Sequence, residues 1–542
     1  MSRIMSTFVK SSAPPSTRPQ NKILSLEALK DYVRQAKAEK KSIVHCHGTF
    51  DLLHPGHIRY FEAAKKEGDC LVVTVTADRC VKKGLGKPVF REQLRAESIA
   101  ALQCIDAVAI DPHETSEEVI RLLQPDVYAK GSDYEGRERE PGHPTAVENT
   151  LVQQYGGRLH FTHDPVTFSS TALLNDHFSS KPASLQTILR EVRQTFSDEE
   201  FTALFERMRS LRVLVIGDAI LDVYHYSNFM GRSVKEEIPR VKVLGSDMFP
   251  GGSLAVANTL AGFCDSVGLL TMLGGREFPQ EQDRERFIRD HLHKNIAPTF
   301  LYRHGAPTVI NERFVNNEPY LVDEMTKVKM RKYFGVYRLN EDRISPEIEE
   351  ELVQTVPQIA AHYDVVIVTD YGLGMLTESS IKAVADVPAF LAINTQTNSM
   401  NYGFNLITKY PRADYVSISL PEMRLALHDQ HANPDRLAEK LTGTMHIGTV
   451  AITLGALGIF LRDKNGSTSI PALTTNVVDN IGAGDAFLAL SSLAVSLGTP
   501  RVISGFLGAA AAAQSCGIIA NKRTVDRPML LRTIHGLLKS NA

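Results

Sequence analysis

The 542-residue chain contains no tryptophan, and aromatic residues make up only 7% of it. Binding of single-stranded nucleic acid relies on successive aromatic faces, so a stacking platform of that kind is not expected. Basic blocks are missing too: Lys+Arg 60 against Asp+Glu 62 gives a net charge of -2, and only isolated pairs such as Lys82-Lys83 occur. No nucleic-acid partner is expected. The six cysteines (Cys46, Cys70, Cys80, Cys104, Cys264, Cys516) form no C-x-x-C pair and lie mostly in apolar segments. Reduced structural thiols in a cytoplasmic protein are expected. No apolar run reaches the roughly 18 residues of a membrane span, so no membrane partner is expected either. Up to about Asn21 there is no acidic residue and no apolar core of a secretory signal. A transit peptide shares that composition, but the Pro-rich stretch Ser11 to Pro19 favours a disordered tail over residues 1–22.

From Ile23 onward, apolar strands alternate with amphipathic helices. Strands are expected at Ser42 to Cys46, Cys70 to Thr76, Ala107 to Ile110, Val127 to Ala129 and Arg158 to Phe161, with helices at Ile58 to Glu67, Arg91 to Leu102 and Glu117 to Leu123. That order predicts a parallel sheet covered on both faces. No G-x-G-x-x-G follows the first strand, so a dinucleotide cofactor is not expected. A polar, charged helical stretch follows, and a second α/β pattern opens at the strand Val213 to Ile216. The expected organisation is α/β throughout: a doubly wound domain over residues 23–182, a helical linker over 183–210, and a second doubly wound domain over 211–542.

The first domain carries His47-Gly48-Thr49-Phe50-Asp51-Leu52-Leu53-His54-Pro55-Gly56-His57 between a strand and a helix. Gly48 and Gly56 let backbone N–H groups approach a ligand, and Pro55 suits the first turn of a helix whose positive end then faces it. His54 and His57, three apart, project to one side. Two imidazoles beside free amides suit a crowded phosphate better than a metal. Lys130-Gly131-Ser132-Asp133-Tyr134 follows a short strand, and Phe168-Ser169-Ser170-Thr171 opens a further helix. Ser and Thr there also serve as caps, and a lysine after a strand is often a solvated charge. Together, at the C-terminal ends of strands in one unit, they read as ligands for one triphosphate. This set resembles the nucleotidyltransferase superfamily with the H-x-G-H signature, which joins a nucleoside monophosphate to a phosphorylated small molecule. The resemblance implies His54 and His57 at the α-phosphate, Lys130 and Lys83 on phosphate oxygens, and Ser169, Ser170 and Thr171 on the β and γ groups. Gly48, Thr49, Phe50, Asp51 and Gly56 would line the nucleotide site. Arg95 matches a basic position of the family, beside its reading as a solvated helix charge.

The second domain opens with Gly217-Asp218-Ala219-Ile220-Leu221-Asp222, continues through Pro250-Gly251-Gly252 into a helix of small residues, and closes with Asp479-Asn480-Ile481-Gly482-Ala483-Gly484-Asp485 before another helix. Gly482, Ala483 and Gly484 put N–H groups at a helix N-terminus, where charge on a transferred phosphoryl group could be held. Gly and Asp are also ordinary helix-start residues. With Thr453-Leu454-Gly455-Ala456-Leu457-Gly458 after a strand, the arrangement resembles the ribokinase family of sugar kinases. That resemblance implies Asp485 as proton acceptor. It places Asp222, Gly251, Gly252 and Asn258 at the acceptor, and Thr453, Gly455 and Gly458 at ATP. Three departures stand out: Asn394-Thr395-Gln396 where the family has Asp-Pro and a charged or amide residue, Ser419-Leu420-Pro421-Glu422 for its Asn-x-x-Glu, and Ala255 near the expected substrate Asn. Glu422 survives as the residue that helps organise Mg²⁺ with the nucleotide.

Both domains together resemble the bifunctional heptose-phosphate kinase and heptose-1-phosphate nucleotidyltransferase family, whose familiar members carry the kinase half first. The resemblance implies Mg²⁺, ATP as phosphoryl donor, and CTP or ATP as nucleotidyl donor. The expected partners are nucleoside triphosphates, a sugar phosphate and a second copy in a homodimer. Two other readings stay open. One is a single-function nucleotidyltransferase whose second half has become a binding or dimerisation module. The other is a ligand sensor without turnover.

Overall fold

The computed structural model describes residues 22–81, 88–140, 143–162, 183–232, 238–316, 320–321, 328–474 and 477–539. The chain divides into two compact units, with the boundary between Ser180 and Lys181.

The first unit runs β1 (Ile23–Leu24), α1 (Leu26–Ala38), β2 (Ile43–Gly48), α2 (Pro55–Lys65), β3 (Cys70–Thr76), α3 (Glu92–Ala100), β4 (Ala107–Asp111), α4 (Glu117–Leu123), β5 (Val127–Gly131), α5 (Pro144–Gln154) and β6 (Arg158–Thr162). Its strands form one sheet in the order β1-β4-β3-β2-β5-β6, every pair parallel. The chain winds outward from β2 through β3 to β4, then crosses back to β5 and β6. Adjacent strands therefore leave β2 and β5 in opposite directions, and the crevice outside their C-terminal ends is where such sheets hold ligands. Buried Val44, Cys46, Leu71, Val73, Val75, Val108, Val127 and Ala129 fill one side with Phe61 and Ile99. Leu29, Val33, Ile43, Val72 and Ala107 pack on the other. The near-continuous apolar run of β3 follows from cover on both faces.

The second unit opens with α6 (Ala183–Thr195) and α7 (Asp198–Arg209). This is the stretch the sequence suggests as a polar linker, and here the structure differs. Leu185, Ile188, Leu189 and Val192 of α6, and Phe201, Leu204, Phe205 and Met208 of α7, are buried in this unit's core. Phe201 lies 6.3 Å from Phe506 and Phe205 lies 5.7 Å from Phe263. Both helices thus belong to the second unit, each through one apolar face at i, i+3, i+4, i+7 spacing. A capping box between Ser197 and Glu200 starts α7.

The remaining strands are β7 (Arg212–Gly217), β8 (Ala219–Arg232), β9 (Pro239–Gly252), β10 (Ser266–Gly274), β11 (Ile296–Arg303), β12 (Val309–Asn316), β13 (Tyr320–Leu321), β14 (Val328–Lys329), β15 (Lys332–Arg338), β16 (Val365–Asp370), β17 (Phe390–Thr395), β18 (Arg412–Ser419), β19 (His446–Thr453), β20 (Ile459–Asp463) and β21 (Gly466–Ile470). A nine-stranded sheet runs β11-β10-β7-β16-β17-β18-β19-β20-β21. It is parallel from β11 to β19 and antiparallel beyond. A second sheet, β15-β12-β8-β9, has no counterpart in the sequence reading. Its long strands β8 and β9 carry Asp222 and the Gly251-Gly252 pair to the end of the main sheet, where Asp222 faces Phe249 across the ladder.

If α6 and α7 are core rather than linker, Phe205→Ala should cost the second unit about 3–5 kcal/mol. Thr202→Ala, on the exposed side of the same helix, should stay within about 0.5 kcal/mol. Urea unfolding of the full chain, followed by a probe in the second unit, measures both. Equal and negligible losses would return the segment to linker status.

Candidate functional site

In the first unit, β2 ends at Gly48, where an added Cβ would sit 3.0 Å from the Phe50 ring. Phe50 itself adopts φ +48, an uncommon conformation for a bulky residue. Its ring is buried against Phe61 at 5.0 Å and meets His57 edge-on at 5.6 Å. Phe50 therefore shapes the turn from inside. Asp51 accepts hydrogen bonds from the Val89 and Phe90 amides at 2.9 and 2.8 Å, which ties the turn to the segment before α3. His54 then occupies the N-cap of α2 in extended conformation, with Pro55 at the first helical position and Gly56 next. The His54 and His57 rings lie 4.0 Å apart between centroids. Burial holds the His54 pKa below its usual value, so a neutral ring stands at the positive end of α2.

Arg95 is not a solvated charge. It is buried, donating through Nε to the Phe90 carbonyl at 2.8 Å, through Nη2 to the Thr76 carbonyl and Asp78 Oδ1 at 2.8 and 2.6 Å, and through Nη1 to the Thr49 carbonyl. The guanidinium is spent on the backbone of the turn, so in this structure Arg95 braces the site instead of facing a nucleotide. Lys130, at the end of β5, pairs with Glu148 of α5 and lies 4.7 Å above the Tyr134 ring. Glu148 also accepts from the Ser116 and Tyr128 hydroxyls. It escapes a sequence reading because it sits in no motif. His47 opens the quoted motif without a role of its own there; its Nδ1 and Nε2 lie 2.9 and 3.3 Å from the Thr74 and Thr76 hydroxyls, with Asp111 3.7 Å away. Lys83, Ser169, Ser170 and Thr171 lie outside the described residues.

In the second unit, Asp485 stands in the first turn of the helix Ala483–Ser496, after Gly482 at φ +80. A Cβ on Gly482 would also come 2.7 Å from Asn521 Oδ1. Asp479 fixes the approach to this helix, accepting from the Tyr224 hydroxyl (2.9 Å), the Lys332 ammonium (2.9 Å), and the Ile481 and Ala520 amides (3.2 and 3.0 Å). Tyr371 donates its hydroxyl to Asp485 Oδ1 at 2.9 Å. Desolvation pushes the Asp485 carboxyl up to about 6, with the charge of Asp222 adding and the Tyr371 bond opposing. Asp222 is buried and ion-paired to Arg313. The Gly251 position approaches Asp222 so closely that a Cβ would fall 2.3 Å from its Oδ2. Gly252, at φ +57, would place a Cβ 2.6 Å from the Asp218 carbonyl. Gly251 is required by packing against Asp222, and Gly252 by the approach of the Asp218 carbonyl and by its positive φ. Pro250, Asn258, Gly482, Asp485, Asn521 and Arg523 line one cavity. The Asn258 side chain, though, spends its amide on the His291 carbonyl and the His293 N–H, both at 2.9 Å.

On the nucleotide side, Thr453 ends β19, and Gly455 and Gly458 turn the chain into β20 with the Leu454 amide bonded to the Gly458 carbonyl at 2.8 Å. Ala483 and the exposed Gly484 leave first-turn amides at the Asp485 helix. Glu422 accepts from the Thr397 and Ser419 amides at 2.9 and 3.0 Å, completing a capping box with Ser419. Among the described residues no group of three His, Cys, Asp or Glu could hold a metal ion. Glu422 alone supplies one carboxylate, so the described residues do not by themselves form a resident Mg²⁺ site.

Residues 45–171 match the cytidylyltransferase-like family model, and residues 405–519 match the model of the pfkB family of carbohydrate kinases. The chain therefore joins a nucleotidyltransferase-type unit to a sugar-kinase-type unit. Its similar relatives include the bifunctional protein HldE of Syntrophotalea carbinolica, 38% identical over 141 residues, which is 26% of this chain and 27% of that protein. HldE of Methylobacillus flagellatus is 42% identical over 146 residues, 27% of this chain and 28% of that one. The chain thus matches less than a third of the length of these relatives. Similar solved structures include phosphofructokinase-2 from Escherichia coli (13% identity, TM-score 0.47, 60% of this chain and 99% of that chain). Ribokinase from Thermotoga maritima is another (17% identity, TM-score 0.43, 60% and 99%).

The brace formed by Arg95 generates a direct expectation. Arg95→Met leaves Asp78 and three carbonyls without their donor, so the first unit should lose about 3–5 kcal/mol, and hydrogen exchange should accelerate at the amides of Val89 and Phe90. Unchanged stability with weakened nucleotide binding alone would reinstate Arg95 as a ligand residue.

Proposed function

We propose that the protein is a bifunctional enzyme that phosphorylates a sugar, sugar phosphate or polyol with ATP and transfers a nucleoside monophosphate onto a sugar phosphate. The observation that carries the kinase half is the half-buried Asp485 carboxylate at a helix N-terminus, with its pKa raised to about 6. A carboxylate with that pKa is mostly ionised at neutral pH yet more basic than a surface aspartate, as a general base requires. The acceptor hydroxyl attacks the γ-phosphorus of ATP and loses its proton to Asp485, and the bond to the bridging oxygen breaks to release ADP. Amides of Gly482 to Gly484 receive the charge on the transferred group. Asp222, Gly251 and Gly252 shape the acceptor side, with Asn258 at its rim, and Thr453, Gly455 and Gly458 the ATP side.

In the first unit, a phosphate oxygen of the sugar phosphate attacks the α-phosphorus of CTP or ATP and pyrophosphate leaves. No covalent intermediate on the protein is needed. His54 and His57 donate to the α-phosphate oxygens, supported by the α2 terminus and by a turn that Arg95 and Asp51 hold in place. Lys130, held beside the crevice by Glu148, takes a second phosphate group, and Lys83 with Ser169 to Thr171 completes the grip. Mg²⁺ belongs with the incoming triphosphate as part of the substrate, and no step is routed through it. The relatives that the first unit resembles are named bifunctional protein HldE, which is in keeping with two activities in one chain.

The two sites are chemically separable. His57→Ala should lower nucleotidyl transfer by about 10²- to 10³-fold and leave phosphorylation intact. Asp485→Asn should lower phosphorylation by at least about 10²-fold and leave transfer onto a supplied sugar phosphate intact. ADP and pyrophosphate, measured separately across a panel of acceptors, read both. The Asp485 carboxyl is raised in the folded state from 3.8 to about 6, so its neutral form is the favoured one. Its contribution to stability is full below about pH 4 and lost as pH rises through about 6. Asp485→Asn should therefore match the parent below about pH 4, gain on it as pH rises from about 4 to 6, and keep the full gain above that. An unchanged phosphorylation rate in Asp485→Asn would sink the kinase reading and favour a binding module.

A further inference from the structure

Tyr371 belongs to no motif that the sequence brings forward, yet its phenol is the one side-chain donor to Asp485 among the described residues' hydrogen bonds. Its backbone is fixed from three sides. The Tyr371 and Leu373 amides both donate to Asp218 Oδ2, at 3.1 and 3.3 Å. The Gly372 amide donates to Asp370 Oδ1 at 2.9 Å. The Tyr371 carbonyl accepts from Asn398 Nδ2 and Asn401 Nδ2 at 3.1 and 2.8 Å. The turn passes this asparagine brace so closely that a Cβ on Gly372, at φ +65, would lie 2.3 Å from Asn401 Nδ2. Asp370 is itself held through Oδ2 by the Tyr410 hydroxyl at 2.7 Å and the Lys409 ammonium at 2.5 Å. The ring packs between Ile220 and Leu373. An amide, a carbonyl, a ring and a hydroxyl are thus all committed, and the hydroxyl is the part that reaches Asp485, which lines the cavity.

Resting on the kinase reading above, we propose that Tyr371 is a positioning residue for phosphoryl transfer: by binding Asp485 Oδ1 it fixes the carboxylate so that Oδ2 receives the proton of the acceptor hydroxyl. Asp485 has a short side chain on the first helical turn, and without a partner it can rotate toward the amides of its own helix start. Held at one oxygen, it presents the other in a set direction. Tyr371 does not exchange the proton itself. Burial and the neighbouring Asp485 charge push its phenol well above the usual range, so it remains a donor throughout. In the balanced step, the acceptor O–H proton moves to Asp485 Oδ2, the new O–P bond forms, the β–γ bridge breaks, and ADP carries away the electron pair.

The other groups facing Asp485 are few. Asp222 on β8 raises its proton affinity, and Arg313 on β12 offsets Asp222 by pairing with it. Arg523 lines the same cavity from the segment after the helix Arg501–Ser515, and the helix Ser253–Ala261 contributes only the uncharged Ala255, Asn258 and Thr259. The Tyr371 hydrogen bond and the helix terminus pull the other way.

The test uses the full chain with ATP and the acceptor that supports ADP release, comparing the parent, Tyr371→Phe and Asp485→Asn across pH. Tyr371→Phe keeps the ring and should leave the KM for ATP within about twofold. Its kcat near pH 6.5 should fall by on the order of tenfold, and the acid limb should move upward by about one pH unit, because a hydrogen bond to a charged group is worth about that much. An unmoved limb and unchanged kcat, with Asp485→Asn inactive, would overturn the positioning role and leave the kinase reading standing. An active Asp485→Asn, or no ADP release from the parent with any acceptor, would remove the kinase reading instead. Unfolding curves then decide the coupling on their own. The stability difference between parent and Tyr371→Phe should grow as pH rises through about 6 and show no such rise in an Asp485→Asn background. Equal pH dependence in both backgrounds overturns the proposal.

Discussion

Both units depend on one electrostatic constraint: a helix N-terminus at the C-terminal end of a parallel strand concentrates unpaired N–H groups and about half a positive charge at one spot. In the first unit that spot is the start of α2, reached through a tight turn after β2. In the second it is the start of the helix Ala483–Ser496. Neither site needs a basic cluster to attract phosphate. Under the proposed function, this explains how a chain of net charge -2 without basic blocks would carry two phosphate-handling centres. It also explains why so much surrounding chemistry serves to aim these termini. Arg95 and Asp51 spend themselves on the backbone of one approach turn, and Asp479, with four donors, on the other.

Aiming a helix terminus at phosphate leaves carboxylates crowded around it, and the second unit shows how that crowding is managed. Asp218 is pushed up to about 7, by burial first and by Asp370 second, although the Leu373, Tyr371 and Met375 amides pull it down. Burial raises Asp222 too, and Arg313 restrains it. Asp370 takes the Lys409 ammonium and Asp479 the Lys332 ammonium. Each acid except Asp485 thus holds a cation or a set of backbone amides. Asp485 has one phenol and a cavity. The least compensated carboxylate is the one that the kinase proposal assigns as proton acceptor, which is the separation of environments that distinguishes roles among neighbouring acids.

What was legible in the sequence is what is local. The strand-turn-helix around His54 and His57, and Gly482 to Asp485 at a helix start, are fixed by residues within a dozen positions of each other, so residue type and spacing carry them. The braces are not local. Arg95 reaches Thr49 across 46 residues, and Tyr371 reaches Asp485 across 114. Helical position alone leaves Arg95 as readily a solvated charge as a buried clamp. Residues 183–210 misled for a related reason. Four buried side chains on the 12-residue α7, set among Asp, Glu and Arg, give a stripe too narrow to separate a docked helix from a linker until Phe506, the partner of Phe201, is seen. The sheet containing β8 and β9 was hidden because only the first part of β8 and the last part of β9 are buried, so neither strand alternates along its length.

The departures of the second unit from the sugar-kinase pattern become less severe once their contacts are known. Ser419 stands where the resemblance leads one to expect Asn, and both are strong helix N-caps. The Ser419 hydroxyl accepts from the Glu422 amide while the Glu422 carboxylate accepts from the Ser419 amide. The exchange therefore keeps Glu422 oriented at the start of its helix, and its other oxygen reaches the Thr397 amide. Asn394 donates through Nδ2 to the Ser417 carbonyl at 2.7 Å, linking the ends of β17 and β18. A carboxylate at 394 would have no proton for that carbonyl and would set a negative charge against it. In this sheet, then, the amide at 394 is a structural requirement of β17 and β18, and it does not by itself argue that the phosphoryl-transfer machinery at Asp485 has decayed.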